Sequence, residues 1–379
     1  MRKILIFYAS FGGGHLSAAN SIKQYIEQNY PEDQVEIMDC MLYVDKILNK
    51  ISTDAYVNMT KSAPWLWARM YAKAEKGALS NIASSSFNMM SHKLIKLFNE
   101  KDPDIVISTH PFSGQMVSHL KKKGKIKPVV LATVLTDFAP HDQWLIGHEY
   151  TDFFFVAHNK MKNMLIDYGI DESKIFATGI PLSNRFLLHF DREQIKDDFG
   201  LDHKRKTILF FAGGELGLGK EKTVEVLKSF IKYGRDNCQI VAISGKNEKI
   251  KEKFEELVED EDASSYVKVL GYTKMVPELM SISDLVVTKP GGLTVTESLA
   301  SGLPLVIINP IPGQELENAE FLENSGVGIW IKKEDNVDEE IKNLLSNESA
   351  MFKMKINSKL LAKKNSTKDI CDTILQNDK

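Results

Sequence analysis

The chain has 379 residues, 43% of them hydrophobic and 26% charged, with a formal net charge of -3. That composition suits a soluble globular protein long enough for two domains, each burying its own core, and it gives no global attraction to nucleic acid. Three widely separated cysteines, Cys40, Cys238 and Cys371, argue against a disulfide framework or a zinc motif and fit a reducing cytosol. No apolar run reaches the roughly 18 residues of a membrane-spanning helix, which leaves attachment to a membrane surface as the only membrane role.

Lys3 to Ala9 is expected as a buried first strand, too short an apolar run for a secretory signal. It runs into Phe11-Gly12-Gly13-Gly14-His15 and then a helix from about Leu16 to Tyr30, a turn whose glycines let an anion approach the backbone. Gly12 and Gly14 match the first two glycines of a dinucleotide fingerprint, Ser17 replaces the third, and Asp39 ends the next strand, Val35 to Met38, where a ribose-binding acid would sit. A dehydrogenase is therefore a rival reading; His15 at the helix entrance and the repeat of glycine loops later in the chain count against it.

From Cys40 to Glu100 the pattern is helical, with bulky apolar residues such as Trp65 and Trp67 interleaved with Arg69, Lys73 and other cations. These residues suit either a packed helical insertion or a surface that meets phospholipid headgroups. Strands then recur at Ile105 to Ser108, Val129 to Val134 and Phe153 to Ala157, as in a doubly wound parallel sheet. The second of them ends in Thr136-Asp137-Phe138-Ala139-Pro140-His141-Asp142-Gln143-Trp144, which gathers acid, imidazole and indole in one loop. His141, His148 and His158 do not have the spacing of a zinc motif.

The polar stretch 187–206 reads as an interdomain linker. Strand Ile208 to Phe211 feeds Ala212-Gly213-Gly214-Glu215-Leu216-Gly217-Leu218-Gly219, a pyrophosphate-type loop in which Glu221 replaces the Ser or Thr of a P-loop ATPase. Strands Gln239 to Ser244 and Val267 to Leu270 bring Gly245 and Tyr272 toward the same edge; Tyr272 is a candidate partner for uracil. Asp260 and Asp262 imitate a metal-binding DxD but sit in an acidic run and read as solvated. Strand Leu285 to Val287 leads through Lys289-Pro290-Gly291-Gly292 into a helix at Leu293 to Ser301. Thr294 offers a hydroxyl there, and Glu297, one turn in, offers a carboxylate to a ribose diol. Leu303 to Ile308 ends in a loop bearing Gln314, Glu315 and Asn318, side chains suited to sugar hydroxyls.

The TKPGG stretch with Glu297, Gln314 and Asn318, the GGGH turn at His15 and the TDF loop with His141 and Trp144 resemble a family of inverting two-domain (GT-B) glycosyltransferases. Its members include the monogalactosyldiacylglycerol and processive glucosyl-diacylglycerol synthases and the peptidoglycan lipid-intermediate GlcNAc transferase. The resemblance implies an α/β fold of two doubly wound Rossmann-like domains facing across a cleft: 1–186 for acceptor and membrane, with a helical insertion at 41–100, and 207–350 for the UDP-sugar. It also implies a tail, 351–379, that packs back on the first domain. Glu297 is expected to bind ribose and Gln314 with Asn318 the sugar. Gly14, Gly213, Gly214, Gly217, Gly245, Lys289, Gly291, Gly292 and Glu315 complete the expected donor site. His15, Asp137 and His141 are the catalytic candidates, and Trp65, Trp67, Arg69 and Trp144 the acceptor or membrane contacts.

The expected reaction moves glucose or galactose from UDP-glucose or UDP-galactose to diacylglycerol, without a metal or other cofactor and without nucleic acid. The expected location is the cytoplasmic face of the cell membrane, on anionic phospholipid. A GlcNAc transferase for a polyprenyl lipid and a non-catalytic nucleotide-sugar-binding subunit remain the alternatives. Glu215, where a small residue is common in the family, leaves the sugar open.

Overall fold

The computed structural model describes residues 1–10, 13–44, 93–213 and 220–376. Within them the chain divides into two compact units. Unit 1 is Met1–Asn184 with Pro312–Gln314 and Lys363–Lys379, and unit 2 is Arg185–Ile311 with Glu315–Ala362.

Unit 1 is built on six parallel strands: β1 (Lys3–Tyr8), β2 (Gln34–Asp39), β3 (Ile105–Ser108), β4 (Val130–Val134), β5 (Phe153–Phe155) and β6 (Ile175–Phe176), in the order β2-β1-β3-β4-β5-β6. Strand alternation decides which residues face which layer. Ile4 and Ile6 of β1 join Ile105 and Ile107 of β3 in a core closed by Ala19, Ile22 and Ile26 of the helix Gly14–Asn29 and by Ile370 and Ile374 of the helix Ser366–Gln376. Leu5 and Phe7 point the other way, toward Leu94, Leu97 and Phe98 of the helix at 93–101 and Met116, Val117 and Leu120 of the helix Pro111–Lys122. The C-terminal helix is fastened to unit 1 by polar ties as well: Tyr30 donates to Asp372 at 2.7 Å and Arg2 to the Leu375 carbonyl at 2.6 Å.

Unit 2 repeats the plan with β7 (Lys206–Phe211), β8 (Cys238–Ile243), β9 (Val267–Leu270), β10 (Leu285–Thr288), β11 (Leu305–Ile307) and β12 (Gly328–Trp330), ordered β12-β11-β10-β7-β8-β9, all parallel. Ile208, Phe210, Ile240, Ala242, Leu285 and Val287 pack one face against Phe230 and Phe254. The polar stretch 187–206 belongs to this unit. Asp191 caps the short helix Arg192–Asp198, whose Ile195 is buried, and Arg192 donates to the Ile282 carbonyl at 3.3 Å. The tail is divided: the helix Glu348–Leu361 lies in unit 2 and residues from Lys363 onward in unit 1.

Candidate active site

In an open α/β sheet, ligands bind where the strand order reverses, outside the carboxyl ends of the strands. In unit 1 that point lies between β1 and β3, whose register pairs Phe7 with Ser108 and so sets the β1 turn beside Thr109 and His110. His15, the second residue of the helix Gly14–Asn29, enters there. Its Nδ1 lies 2.7 Å from the Thr109 carbonyl and 3.1 Å from Thr136 Oγ1. A carbonyl only accepts, so Nδ1 carries the proton and donates it, which leaves Nε2 unprotonated with its lone pair available. Thr109 Oγ1 closes the ring of contacts by donating to the His15 carbonyl at 3.0 Å. Although part of the ring reaches solvent, it is packed closely enough that desolvation lowers its pKa to about 4, opposed by the bond to Thr109. A neutral imidazole with Nε2 open is equipped to accept a proton.

Two further imidazoles surround it. His110 meets His15 edge to face at 4.7 Å and caps the helix Pro111–Lys122, its Nδ1 accepting from the Phe112 amide at 3.2 Å. Burial, then the neighbouring His15 and His141, hold its pKa well below the usual histidine value. His141 is pushed down to about 4, mainly by burial and then by His15. The loop that carries His141 is pinned at several points. Gln115 donates to the Gln143 carbonyl at 2.6 Å, Ser118 donates to the Gly147 carbonyl, and His158 Nε2 donates to the Phe138 carbonyl at 2.9 Å. Gly147 has φ +79°, and a Cβ there would lie 2.5 Å from Ser118 Oγ, so only glycine fits. Asp137 is buried in this loop. Trp144 departs from the expected acceptor or membrane contact: it is 3% exposed, with its ring 5.9 Å from His141, because the helix Pro111–Lys122 holds the loop down and makes the indole a plug.

The reversal in unit 2 lies between β7 and β10. Gly213, at φ +82°, follows β7, and a Cβ there would lie 3.9 Å from Lys289 Cδ, so the two loops at this point adjoin. Gly291 is the N-cap of the helix Gly292–Ala300 and supplies no side-chain cap, leaving the first helical N–H groups directed at whatever occupies the turn. Lys289 Nζ is 2.7 Å from Glu315 Oε1, while Glu315 Oε2 accepts from the Ile311 amide at 2.9 Å. Asn318 is fully buried and donates to the Pro290 carbonyl at 3.0 Å. Glu315 and Asn318 thus fasten the helix Gln314–Asn324 to the turn after β10. Thr294 and Glu297 are partly exposed. The Glu297 carboxylate has no hydrogen-bond or ion-pair partner among the described residues, and desolvation raises its pKa to about 8. Gly245, at φ +63°, and Tyr272, 64% exposed with Lys246 Nζ 5.8 Å from its ring centroid, lie beyond β8 and β9.

Trp65, Trp67, Arg69, Gly214 and Gly217 lie outside the described residues. The structure adds Thr109, His110 and Thr136 to the group around His15, and His158 as an anchor of the loop at Phe138. His110 had a legible signal: a polar residue at a strand end, just before a proline that opens a helix.

Two Rossmann-like units of six parallel strands, each with a glycine turn at its reversal, define the two-domain GT-B fold. The solved structures with this fold include "S. aureus MnaA-UDP co-structure", with a TM-score of 0.67 and 15% identity, covering 99% of this chain and 96% of that one. Another is Acinetobacter baumannii MurG, with a TM-score of 0.66 and 14% identity, covering 99% and 100%. Residues 15–182 match the family described as monogalactosyldiacylglycerol (MGDG) synthase, and residues 208–374 match the glycosyltransferase family 28 C-terminal domain. The chain is 32% identical to a processive diacylglycerol beta-glucosyltransferase of Bacillus mycoides (strain KBAB4) over 375 residues, 98% of this chain and 93% of that protein. It is 30% identical to one of Bacillus subtilis (strain 168) over 376 residues, 99% and 95%. The chain belongs to the family of the processive diacylglycerol beta-glucosyltransferases.

Proposed function

We propose that this chain transfers a hexose from a UDP-sugar to the hydroxyl of membrane diacylglycerol with inversion at the anomeric carbon. Unit 2 binds the donor and unit 1 supplies the base. The observation that carries the donor assignment is the carboxylate of Glu297, without a partner among the described residues and one turn inside an uncapped helix: ionised, it accepts both hydroxyls of a ribose, while the N–H groups after Gly291 meet the phosphates. Thr294 adds a hydroxyl, Gln314 reaches the sugar, and Glu315 and Asn318 hold the loop. Gly213 and Gly245 admit the nucleotide, and Tyr272 stacks on or borders uracil. The names of the relatives support diacylglycerol as acceptor and glucose as the sugar.

In the step itself the lipid hydroxyl oxygen forms a bond to C1 as the C1–O bond to UDP breaks. The hydroxyl proton passes to His15 Nε2, and the electron pair leaves on the β-phosphate. The Thr109 carbonyl stabilises the imidazolium that forms, through Nδ1–H. His141 lies near enough to His15 to feel its charge, and Asp137 is buried in the loop that carries His141. The leaving phosphate is met by the Gly292 helix start and Lys289 without a metal, so turnover persists in EDTA. Work at the inner face of the cell membrane follows from the acceptor. Donor scanning with detergent-solubilised lipids, read by product mass, tests the proposal. Hexosyl-diacylglycerol from UDP-glucose is expected; GlcNAc transfer to a polyprenyl lipid, or UDP binding with no transfer to any lipid, would contradict it.

A further inference from the structure

The helix Glu348–Leu361 is apolar on two faces. Its inner face is accounted for: Met351 and Met354 pack against the unit 2 core, buried Ser358 donates to the Leu303 carbonyl at 3.0 Å, and Asn357 donates to the Gly326 carbonyl at 2.8 Å. Its outer face is uncovered. Phe352, Ile356 and Leu360, each four residues from the next and therefore in one stripe, are 66%, 42% and 79% exposed. Scattered exposed apolar residues need no explanation, but a stripe on one helix does.

Lys353, Lys355 and Lys359 border that stripe, Lys363 and Lys364 follow in the chain, and residues 349–364 contain no Asp or Glu. None of these five lysines forms an ion pair among the described residues. By contrast, Glu348 at the helix start is neutralised by Lys206 at 2.7 Å. The stem of Lys359 lies along Gly302, the arrangement in which a lysine covers apolar surface while its ammonium reaches outward.

We propose that the outer face of the helix Glu348–Leu361 docks on an anionic lipid bilayer, its apolar stripe entering the headgroup boundary and its lysines meeting lipid phosphates. A second copy of the chain is disfavoured as the occupant because two-fold pairing would set lysines against lysines. A stripe this narrow is also small for a stable protein interface, yet it suits a helix lying in a membrane surface. The proposed lipid acceptor makes this partner available. The docking itself is measured without transfer.

Cys40, Cys238 and Cys371 are buried, so a thiol introduced at the surface is the reactive one. The chain carrying Leu360→Cys, labelled with an environment-sensitive fluorophore, is mixed with vesicles of phosphatidylglycerol in phosphatidylcholine. A blue shift and a gain in intensity are expected, both abolished by high salt and absent from a Glu256→Cys label on an exposed polar face of the same unit. Phe352→Ser with Leu360→Ser should lower vesicle partitioning roughly tenfold or more, and each lysine reversed to Glu at least about fivefold. A silent Leu360→Cys label on a chain that sediments with vesicles, or no sedimentation at all, would overturn the proposal, as would a shift that grows with protein concentration without vesicles. Transfer to detergent-solubilised diacylglycerol should be unchanged in the serine variant. Its absence in the parent chain would count against the proposed activity and leave the docking result standing.

Discussion

The reversal points of the two sheets share a plan, a glycine turn feeding a helix beside a neighbouring strand, but they hold ionisable groups of opposite kind. In unit 1 the group is the His15 imidazole, pushed down to about 4; in unit 2 it is the Glu297 carboxyl, pushed up to about 8. One cause acts in both, because burial disfavours whichever form is charged. The consequences differ. The imidazole is neutral across the physiological range with its tautomer set by Thr109, whereas the carboxyl stays protonated near neutrality until something supplies hydrogen bonds to its ionised form. In the proposed reaction the first is ready before its ligand arrives, and the second is completed by it.

The largest expected effect lies in unit 1. His15→Ala should lower turnover by roughly 100- to 10,000-fold with UDP affinity unchanged by calorimetry, since general-base catalysis is lost while the donor site is intact. Equal losses of both would merge the two sites and break the comparison. Glu297→Ala should do the reverse, weakening UDP by about ten- to a hundredfold through loss of a charged acceptor, about 1.5–3 kcal/mol. Unchanged UDP affinity would remove Glu297 from the donor site.

A smaller effect separates the two groups in the unliganded protein. A carboxyl with a raised folded pKa contributes stability that is full below its unfolded value and is lost as pH rises through about 8. Glu297→Gln should therefore be the more stable protein at alkaline pH, by on the order of 2 kcal/mol after allowance for its partial exposure, and show no such gain at acid pH. His15, with a lowered pKa, behaves oppositely: its contribution is present above its unfolded value and is lost as pH falls through about 4. Smallest of all, Thr136→Val removes one of the two contacts to Nδ1 and should cost turnover only a few-fold, about 1 kcal/mol, because the Thr109 carbonyl still fixes the tautomer. Loss as deep as in His15→Ala would mean that Thr136 sets the tautomer.

The elements that build both reversal points were legible because β1, β7 and β10 are apolar runs ending directly in glycine turns, a pattern that survives without tertiary knowledge. β6 and β12 were missed: at two and three residues they are too short to show a period. The segment 187–206 read as a linker because it is polar and charged, and the burial of Ile195 and Leu201 leaves no period in that pattern. The candidate donor acid of unit 2, Glu297, could be placed from its distance past Gly292 on one helix. His15 and His141 were candidates only through the family resemblance, and their meeting with His110 was not legible, since the three come together only through the pairing of β1 with β3 and β3 with β4. Burial by neighbouring helices is equally invisible, which is why Trp144 read as a contact.

The most direct measurement is the number of protons released when UDP binds, obtained by titration calorimetry near pH 7 in buffers of different ionisation enthalpy. Subtracting the value for Glu297→Gln cancels the nucleotide's own ionisation. The parent should release about one proton more than the variant at pH 7, and the difference should vanish as pH rises past about 8. No difference between parent and variant at pH 7 would contradict a donor site completed by ionising Glu297.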